Sequence, residues 1–206
     1  MGFRLKIKTH KVKELPVTVV QNFYTKKQLE QIINFVFTTN PYEWFTNPDK
    51  NGGAKDEKGN NLKNNYAVCV DEWYTQMGRT FCPLFKINRK LWDKKFNTSL
   101  EKEHYIFKNV MSVNADTTFL NYYEDSNFYD YHTDKATLTA LTIFYQEPKR
   151  FEGGELLFEN ELTIPCENNT LVIFPSILKH RAETIKMKTK EKLFGRFSMT
   201  QFLRYV

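Results

Sequence analysis

From about residue 107 to the end, the chain breaks into short runs rich in Val, Ile, Thr, Phe and Tyr, separated by turn residues. Runs near 109–124, 129–135, 137–146, 154–159, 161–165, 170–175, 181–186 and 194–203 read as about eight strands. Gly153-Gly154, Glu167 to Asn169 and Lys188 to Lys190 supply the turns between them. So many short strands in so little chain must bury one sheet face against another, which predicts a sandwich or jelly roll. Apolar residues make up 41% and aromatics 16%, enough material for a core and too much for a disordered chain.

The first half has a different texture. Pro16 to Val20 reads as a short strand, and Thr25 with Gln28 forms a capping-box pattern opening a helix through Leu29, Ile32, Ile33 and Val36. Residues 46–65 are polar, rich in Gly and Asn and without periodicity, so they read as a long surface loop, a candidate lid. Between Asp71 and Phe96 the apolar positions Trp73, Met77, Phe81, Leu84, Phe85, Leu91 and Trp92 recur at helical spacing, with Pro83 kinking or dividing the helix. At 206 residues, without repeat or linker, the expectation is one domain over 1–206. A helical buttress at about 16–104 would pack on one face of a β-core at about 105–204.

The net charge of +6 is unevenly placed: residues 1–103 carry 18 basic against 11 acidic side chains, and residues 104–206 carry 12 against 13. A basic half can attract nucleic acid, but only 7 of the 30 cations are Arg, the better phosphate fork, so a solvated lysine surface accounts for the excess more simply. No apolar run approaches the ~20 residues of a membrane span, and the charged opening segment has no signal-peptide core. Cys69, Cys82 and Cys166 form no CxxC pair and leave an odd thiol, so neither a disulfide framework nor a thiolate zinc site is expected. A cytoplasmic, reducing location follows as the expectation.

The segment richest in chemistry is Tyr129 to Asp134. On a strand, His132 and Asp134 project to the same side, about 7 Å apart along the backbone, and can share a metal ion. The apolar run Leu171 to Lys179 delivers a second imidazole, His180, at its end. Two His and one carboxylate on one face of an octahedron leave three positions open, the ligand set of non-haem Fe(II) oxygenases. Further on, alternation puts Arg196, Ser198 and Thr200 on one face of the last strand, with Phe197 and Met199 on the other. A buried Arg is costly unless it meets an anion, and its planar fork matches a carboxylate. His10 and His104 stand outside this group, Cys166 reads as structural, and the lysines from Lys186 to Lys192 read as a solvated hairpin tip.

These pieces occur in a familiar order. They are Tyr123-x-x-Ser126-x-x-Tyr129-x-x-His132-x-Asp134, the run Leu138 to Tyr145, Phe151 to Phe158 with Gly153-Gly154, Phe174-Pro175 before His180, and Arg196-x-Ser198. As a set they resemble the Fe(II)/2-oxoglutarate-dependent dioxygenases, in the prolyl 4-hydroxylase-like branch, over roughly residues 105–204. The resemblance implies a mainly β fold with N-terminal helices around a double-stranded β-helix, the cupin-like jelly roll. It implies that His132, Asp134 and His180 bind Fe(II) as the catalytic centre and that Arg196 pairs with the distal carboxylate of 2-oxoglutarate. Ser198, Tyr123 and Tyr145 are candidates for hydrogen bonds to that co-substrate, and Tyr129 for substrate contact. It further implies O2 as oxidant, with ascorbate as an accessory reductant.

The sequence also departs from the family pattern. The usual glycine between the two tyrosines is Ser126, the stretch after the distal His is Arg181 to Ile185 without the valine-proline pair, and the anion ligand is Arg where collagen-type enzymes tend to have Lys. The implied reaction hydroxylates an unactivated C–H bond, first of all in a prolyl residue of a protein or peptide. Rival readings are a small-molecule or nucleic-acid oxygenase or demethylase, against which Ser198 and Phe202 stand where alkylation-repair enzymes carry Asn and a second Arg, and a non-catalytic metal-binding jelly-roll scaffold.

Overall fold

The computed structural model describes residues 5–38, 43, 46, 53–159 and 161–206. Among these residues thirteen strands run in the order β1 (Lys6–Val12), β2 (Leu15–Gln21), β3 (Tyr66–Cys69), β4 (Ala115–Tyr123), β5 (Tyr129–His132), β6 (Leu138–Phe144), β7 (Phe151–Glu152), β8 (Leu156–Phe158), β9 (Leu162–Ile164), β10 (Thr170–Pro175), β11 (His180–Ala182), β12 (Lys186–Met187) and β13 (Arg196–Arg204). They form a seven-stranded antiparallel sheet ordered β1-β2-β10-β6-β13-β4-β3 and a four-stranded sheet ordered β5-β11-β8-β9, with β12-β7 as a two-stranded ribbon. The major and minor sheets make a mainly β jelly roll, with the helices gathered before β4.

The major sheet is covered on both faces, which explains why its central strand β6 is buried at every position. Alternation divides its side chains. Leu138, Ala140 and Phe144 join Leu171, Ile173, Phe197, Met199 and Leu203 in the core shared with the helices. Leu141 and Ile143, with Val172 and Phe174 of β10, turn toward the minor sheet. From the helical side, Trp73, Leu84, Leu91, Leu100, Phe107 and Val110 close the first core.

Local chemistry sets the helix ends. In the first helix, Lys26–Thr38, the Gln28 N–H donates to Thr25 Oγ1 (3.2 Å) and the Thr25 N–H to Gln28 Oε1 (2.9 Å), a reciprocal capping box. The single helix expected over 71–96 is several: Val70–Met77, Pro83–Asn88, a 3-10 turn at Arg89–Trp92, and Lys94–Glu103. The break comes at Gly78, at φ 79°, and Pro83 opens the following helix, where its missing N–H costs nothing. Asp93 then caps the last piece by accepting from the Phe96 N–H at 2.9 Å.

Strands β1, β3 and the two-residue β7 were not expected. β1 pairs along its length with β2 through a two-residue turn at Lys13 (φ 47°) and Glu14 (φ 63°). Turns of that hand normally carry Asn or Gly, so the hairpin has no local sequence signal. β3 is four residues at the end of the polar stretch and extends the sheet beyond β4. The first part of the strand expected at 109–124 is helical, Asn109–Ser112, and β4 begins only at Ala115. Of the expected loop at 46–65, residues 47–52 lie outside the described residues. Among the described residues, no helix is long and apolar enough to cross a membrane.

Candidate metal centre

β5 and β11 are antiparallel neighbours, and their register sets His132 directly opposite His180. Such a cross-strand pair puts two side chains side by side on one face. The ring centroids are 4.4 Å apart. Asp134, two residues past His132, is held by its N–H donating to the Ser176 carbonyl at 3.0 Å. Its Oδ1 lies 3.6 Å from His132 Nε2 and its Oδ2 3.6 Å from His180 Nε2. The three potential ligand atoms fall within 4.8 Å of one another.

Each imidazole is oriented from behind. Nδ1 of His132 is 2.7 Å from the Asp130 carbonyl oxygen, and Nδ1 of His180 is 2.9 Å from that of Leu178. A carbonyl can only accept, so both Nδ1 atoms carry the proton and both Nε2 lone pairs face inward. Burial first, and then the neighbouring His180, push the His132 pKa down to about 3, against the pull of the Asp130 carbonyl, so the ring is neutral at ordinary pH. Thr139 Oγ1 donates to Asp134 Oδ2 at 2.6 Å and sits 2.9 Å from Ser176 Oγ. Two imidazole nitrogens and a carboxylate suit a divalent first-row metal with positions left open.

The triad opens on a cavity of about 140 Å³ lined also by Tyr123, Tyr129 and Ser198, with Phe119, Leu141 and Leu156 as apolar walls. On β13 the expected alternation is observed: Ser198, Thr200 and Phe202 line the cavity, while Phe197 and Met199 pack toward the helices. Arg196 is fully buried behind the cavity wall, its guanidinium 4.8 Å over the Tyr123 ring. Tyr123 and Cys166 are its polar neighbours, but none of its three nitrogens, nor Ser198 Oγ, has a partner in good hydrogen-bond geometry, and no described carboxylate lies within ion-pair distance of Arg196. Buried donors left open in this way mark a place built for an anion. A dicarboxylate co-substrate therefore fits the residues present.

Glycines make room for this cation. A Cβ on Gly154, at φ 81°, would come within 2.8 Å of Arg196 Cδ and 2.7 Å of Ile185 Cδ1. Ser126 adopts φ 64° and donates its N–H to the Ile185 carbonyl at 2.8 Å, so the left-handed turn usual for glycine persists with serine.

Tyr129 stacks flat on His132, with centroids 3.5 Å apart at 7°, and its hydroxyl accepts the Ala54 N–H at 3.1 Å. Tyr145, expected on the co-substrate, lies in the cluster that also holds Tyr123. It is absent from the cavity lining, its hydroxyl accepts the Asn168 N–H at 3.2 Å, and its ring packs edge-on against Phe151. Sequence reasoning missed Asn121 and Lys63 as cavity residues. Asn121 was within reach, because it shares a face with Phe119 and Tyr123 on β4; Lys63, inside a polar loop, carries no local signal.

Residues 117–204 match the family model described as the 2OG-Fe(II) oxygenase superfamily. A PKHD-type hydroxylase of Crocosphaera subtropica is 32% identical over 85 residues, covering 35% of this chain and 38% of that protein. An uncharacterized PKHD-type hydroxylase of Synechocystis sp. is 25% identical over 187 residues, covering 78% of this chain and 61% of its own length. The chain thus spans less than two thirds of these curated relatives. Among solved structures, a Pseudomonas putida prolyl-4-hydroxylase superposes with a TM-score of 0.58 at 11% identity over 92% of both chains, a likeness of fold.

Proposed function

We propose, from the premise that residues 117–204 belong to the 2OG-Fe(II) oxygenase superfamily, that the protein is an Fe(II)- and 2-oxoglutarate-dependent hydroxylase. The observation that carries the reading is the pairing of an inward-facing His132–Asp134–His180 cluster with the open donors of Ser198, on the same cavity, and of Arg196, behind its Tyr123 wall. A metal-binding scaffold has no use for a buried, unpaired guanidinium. When bound, Fe(II) with 2-oxoglutarate and O2 supplies the power to put one oxygen atom into a substrate C–H bond, the other going into succinate as CO2 leaves.

The chain's own residues bind, orient and exclude. His132 and His180 offer Nε2 as ligands because the Asp130 and Leu178 carbonyls keep the proton on Nδ1. Thr139 draws on one oxygen of Asp134 and fixes the carboxylate plane. Arg196 and Ser198 take the distal carboxylate of 2-oxoglutarate, and Tyr123, over whose ring the guanidinium lies, walls that end of the cavity. Phe119, Leu141 and Leu156 keep water from the reacting centre.

A prolyl residue in a protein or peptide is the first candidate substrate, supported by the likeness of fold to the Pseudomonas putida prolyl-4-hydroxylase. The test is anaerobic addition of Fe(II) and 2-oxoglutarate, followed by air with ascorbate as reductant. A weak visible charge-transfer band and 2-oxoglutarate-dependent succinate are expected from wild type and neither from His132→Ala. Wild type lacking both overturns the reading; feeding proline-rich peptides against methylated oligonucleotides decides which class accelerates succinate release.

A further inference from the structure

Lys63 has no role in the chemistry described so far. It is 6% exposed, lines the same cavity as the triad, and has no carboxylate within ion-pair distance among the described residues. Its ammonium stands 5.3 Å over the Tyr129 ring, the ring that stacks on His132. A buried ammonium without a counter-ion is costly and is retained only where something compensates it.

The position is built. Leu62 accepts the Asp130 N–H at 2.7 Å, the Asn64 N–H donates to the Phe128 carbonyl at 3.2 Å, and Asn64 Oδ1 accepts the Phe128 N–H at 2.7 Å. Residues 62–64 are thereby sewn to the strand that carries His132, with Lys63 opposite Tyr129. Gly53 passes over the side chain so closely that a Cβ there would fall within 2.7 Å of Lys63 Cγ and Cδ.

Next to the cavity, and sharing Gly53, Phe119, Tyr129, Asp134 and Phe202 with it, runs a more open groove of about 400 Å³. Among the described residues its charged groups are Lys135, Arg204 and Asp134, so the sole described carboxylate in cavity and groove together is the proposed metal ligand. Arg196 and Ser198 already provide for the co-substrate, so the remaining cations face whatever enters the groove.

We propose that Lys63 is a specificity-determining residue that binds a carboxylate of the substrate, so that the reacting C–H bond belongs to a group lying next to an acid. This rests on the hydroxylase reading above. The acid is either a free terminal carboxylate or an acidic side chain neighbouring the target in a polypeptide; the chemistry at Lys63 is the same.

The experiment compares wild type, Lys63→Met and Lys63→Arg with matched probes: N-acetylproline against N-acetylprolinamide for a terminal acid, and an acetyl-prolyl-aspartyl amide against its asparaginyl counterpart for a side-chain acid. Wild type is expected to favour one or both acids by about 10- to 100-fold in kcat/KM, the range for a charged hydrogen bond. Lys63→Met is expected to erase the preference while its 2-oxoglutarate affinity, read from the chelate band, stays at the wild-type value. Lys63→Arg is expected to keep part of the preference. Which pair discriminates identifies the source of the acid.

The inference is overturned if wild type does not discriminate, if Lys63→Met keeps the preference, or if that variant loses about tenfold or more in 2-oxoglutarate affinity, which would assign Lys63 to the co-substrate. Should wild type give no chelate band and no succinate, the hydroxylase reading fails by itself. Calorimetric binding of the acid probes to wild type and Lys63→Met then still decides for or against Lys63, by whether the lost charge weakens binding. The methionine keeps the aliphatic stem under Gly53, and thermal midpoints verify that each variant is folded.

Discussion

β13 shows two kinds of burial on one strand. Toward the helices, Phe197, Met199 and Leu203 pack into a continuous apolar core, with Phe197 stacked against Phe144 at 5.4 Å and 12°. Toward the cavity, the side chains of Arg196 and Ser198 are as deeply buried but their polar atoms have no partner in good hydrogen-bond geometry. Burying apolar surface stabilises by roughly 25 cal/mol per Å², whereas each polar group left unsatisfied costs about 1–3 kcal/mol and a charge more. One face therefore holds the fold together, and the other gives up stability to keep a binding site ready.

Breaking the cavity face at its metal ligands is expected to have the largest effect. His132→Ala or Asp134→Ala should lower Fe(II) affinity by more than the ~10- to 100-fold typical of losing an outer partner. Metal titration checks this, and the thermal midpoint of the metal-free protein should hardly fall. Arg196→Met should leave metal binding intact and weaken 2-oxoglutarate by about 100-fold, as expected for lost charge-assisted hydrogen bonds. The chelate band gives that affinity.

Breaking the helix face should do the reverse. Leu203→Ala, at a fully buried position, is expected to cost about 2–5 kcal/mol of stability in denaturant unfolding. Its 2-oxoglutarate affinity should match wild type. If Leu203→Ala lost affinity and kept stability, the division between the two faces would be wrong.

The line between structure and site was legible where one strand carried it. Arg196, Ser198 and Thr200 alternate with Phe197 and Met199, so period-two spacing alone separates the faces. The jelly roll was legible from strand density, and the His132–Asp134 spacing follows the same rule. What stayed hidden depends on distant contacts. Lys63 reaches the cavity because residues 62–64 pair with a strand more than sixty positions away. The β1–β2 hairpin turns at Lys13 and Glu14 without a turn residue. The hydrogen bond that the Tyr145 hydroxyl accepts from the Asn168 N–H, 23 positions away, has no local signal either.

Two smaller effects sharpen the contrast. Thr139→Val removes the hydrogen bond to Asp134 Oδ2 and should lower Fe(II) affinity by about tenfold; metal titration against wild type reads it. The depressed pKa of His132 has a signed consequence for the metal-free protein. The folded state resists protonation down to about pH 3 while the unfolded chain takes up the proton near 6.5, so the stability contributed above 6.5 is lost as pH falls through that window. Denaturant midpoints should decline from pH 7 to pH 5 in wild type and decline less in His132→Gln.

The most direct test of the account sets stability against binding at a single buried cation. Thermal midpoints of wild type and Arg196→Met are measured with Fe(II) alone and with Fe(II) plus 2-oxoglutarate under anaerobic conditions. The account predicts that Arg196→Met is at least as stable as wild type without 2-oxoglutarate, and that the co-substrate raises the midpoint of wild type only. A variant that is less stable without the co-substrate, yet gains as much from it as wild type, would contradict the account, because Arg196 would then hold the fold and not the ligand.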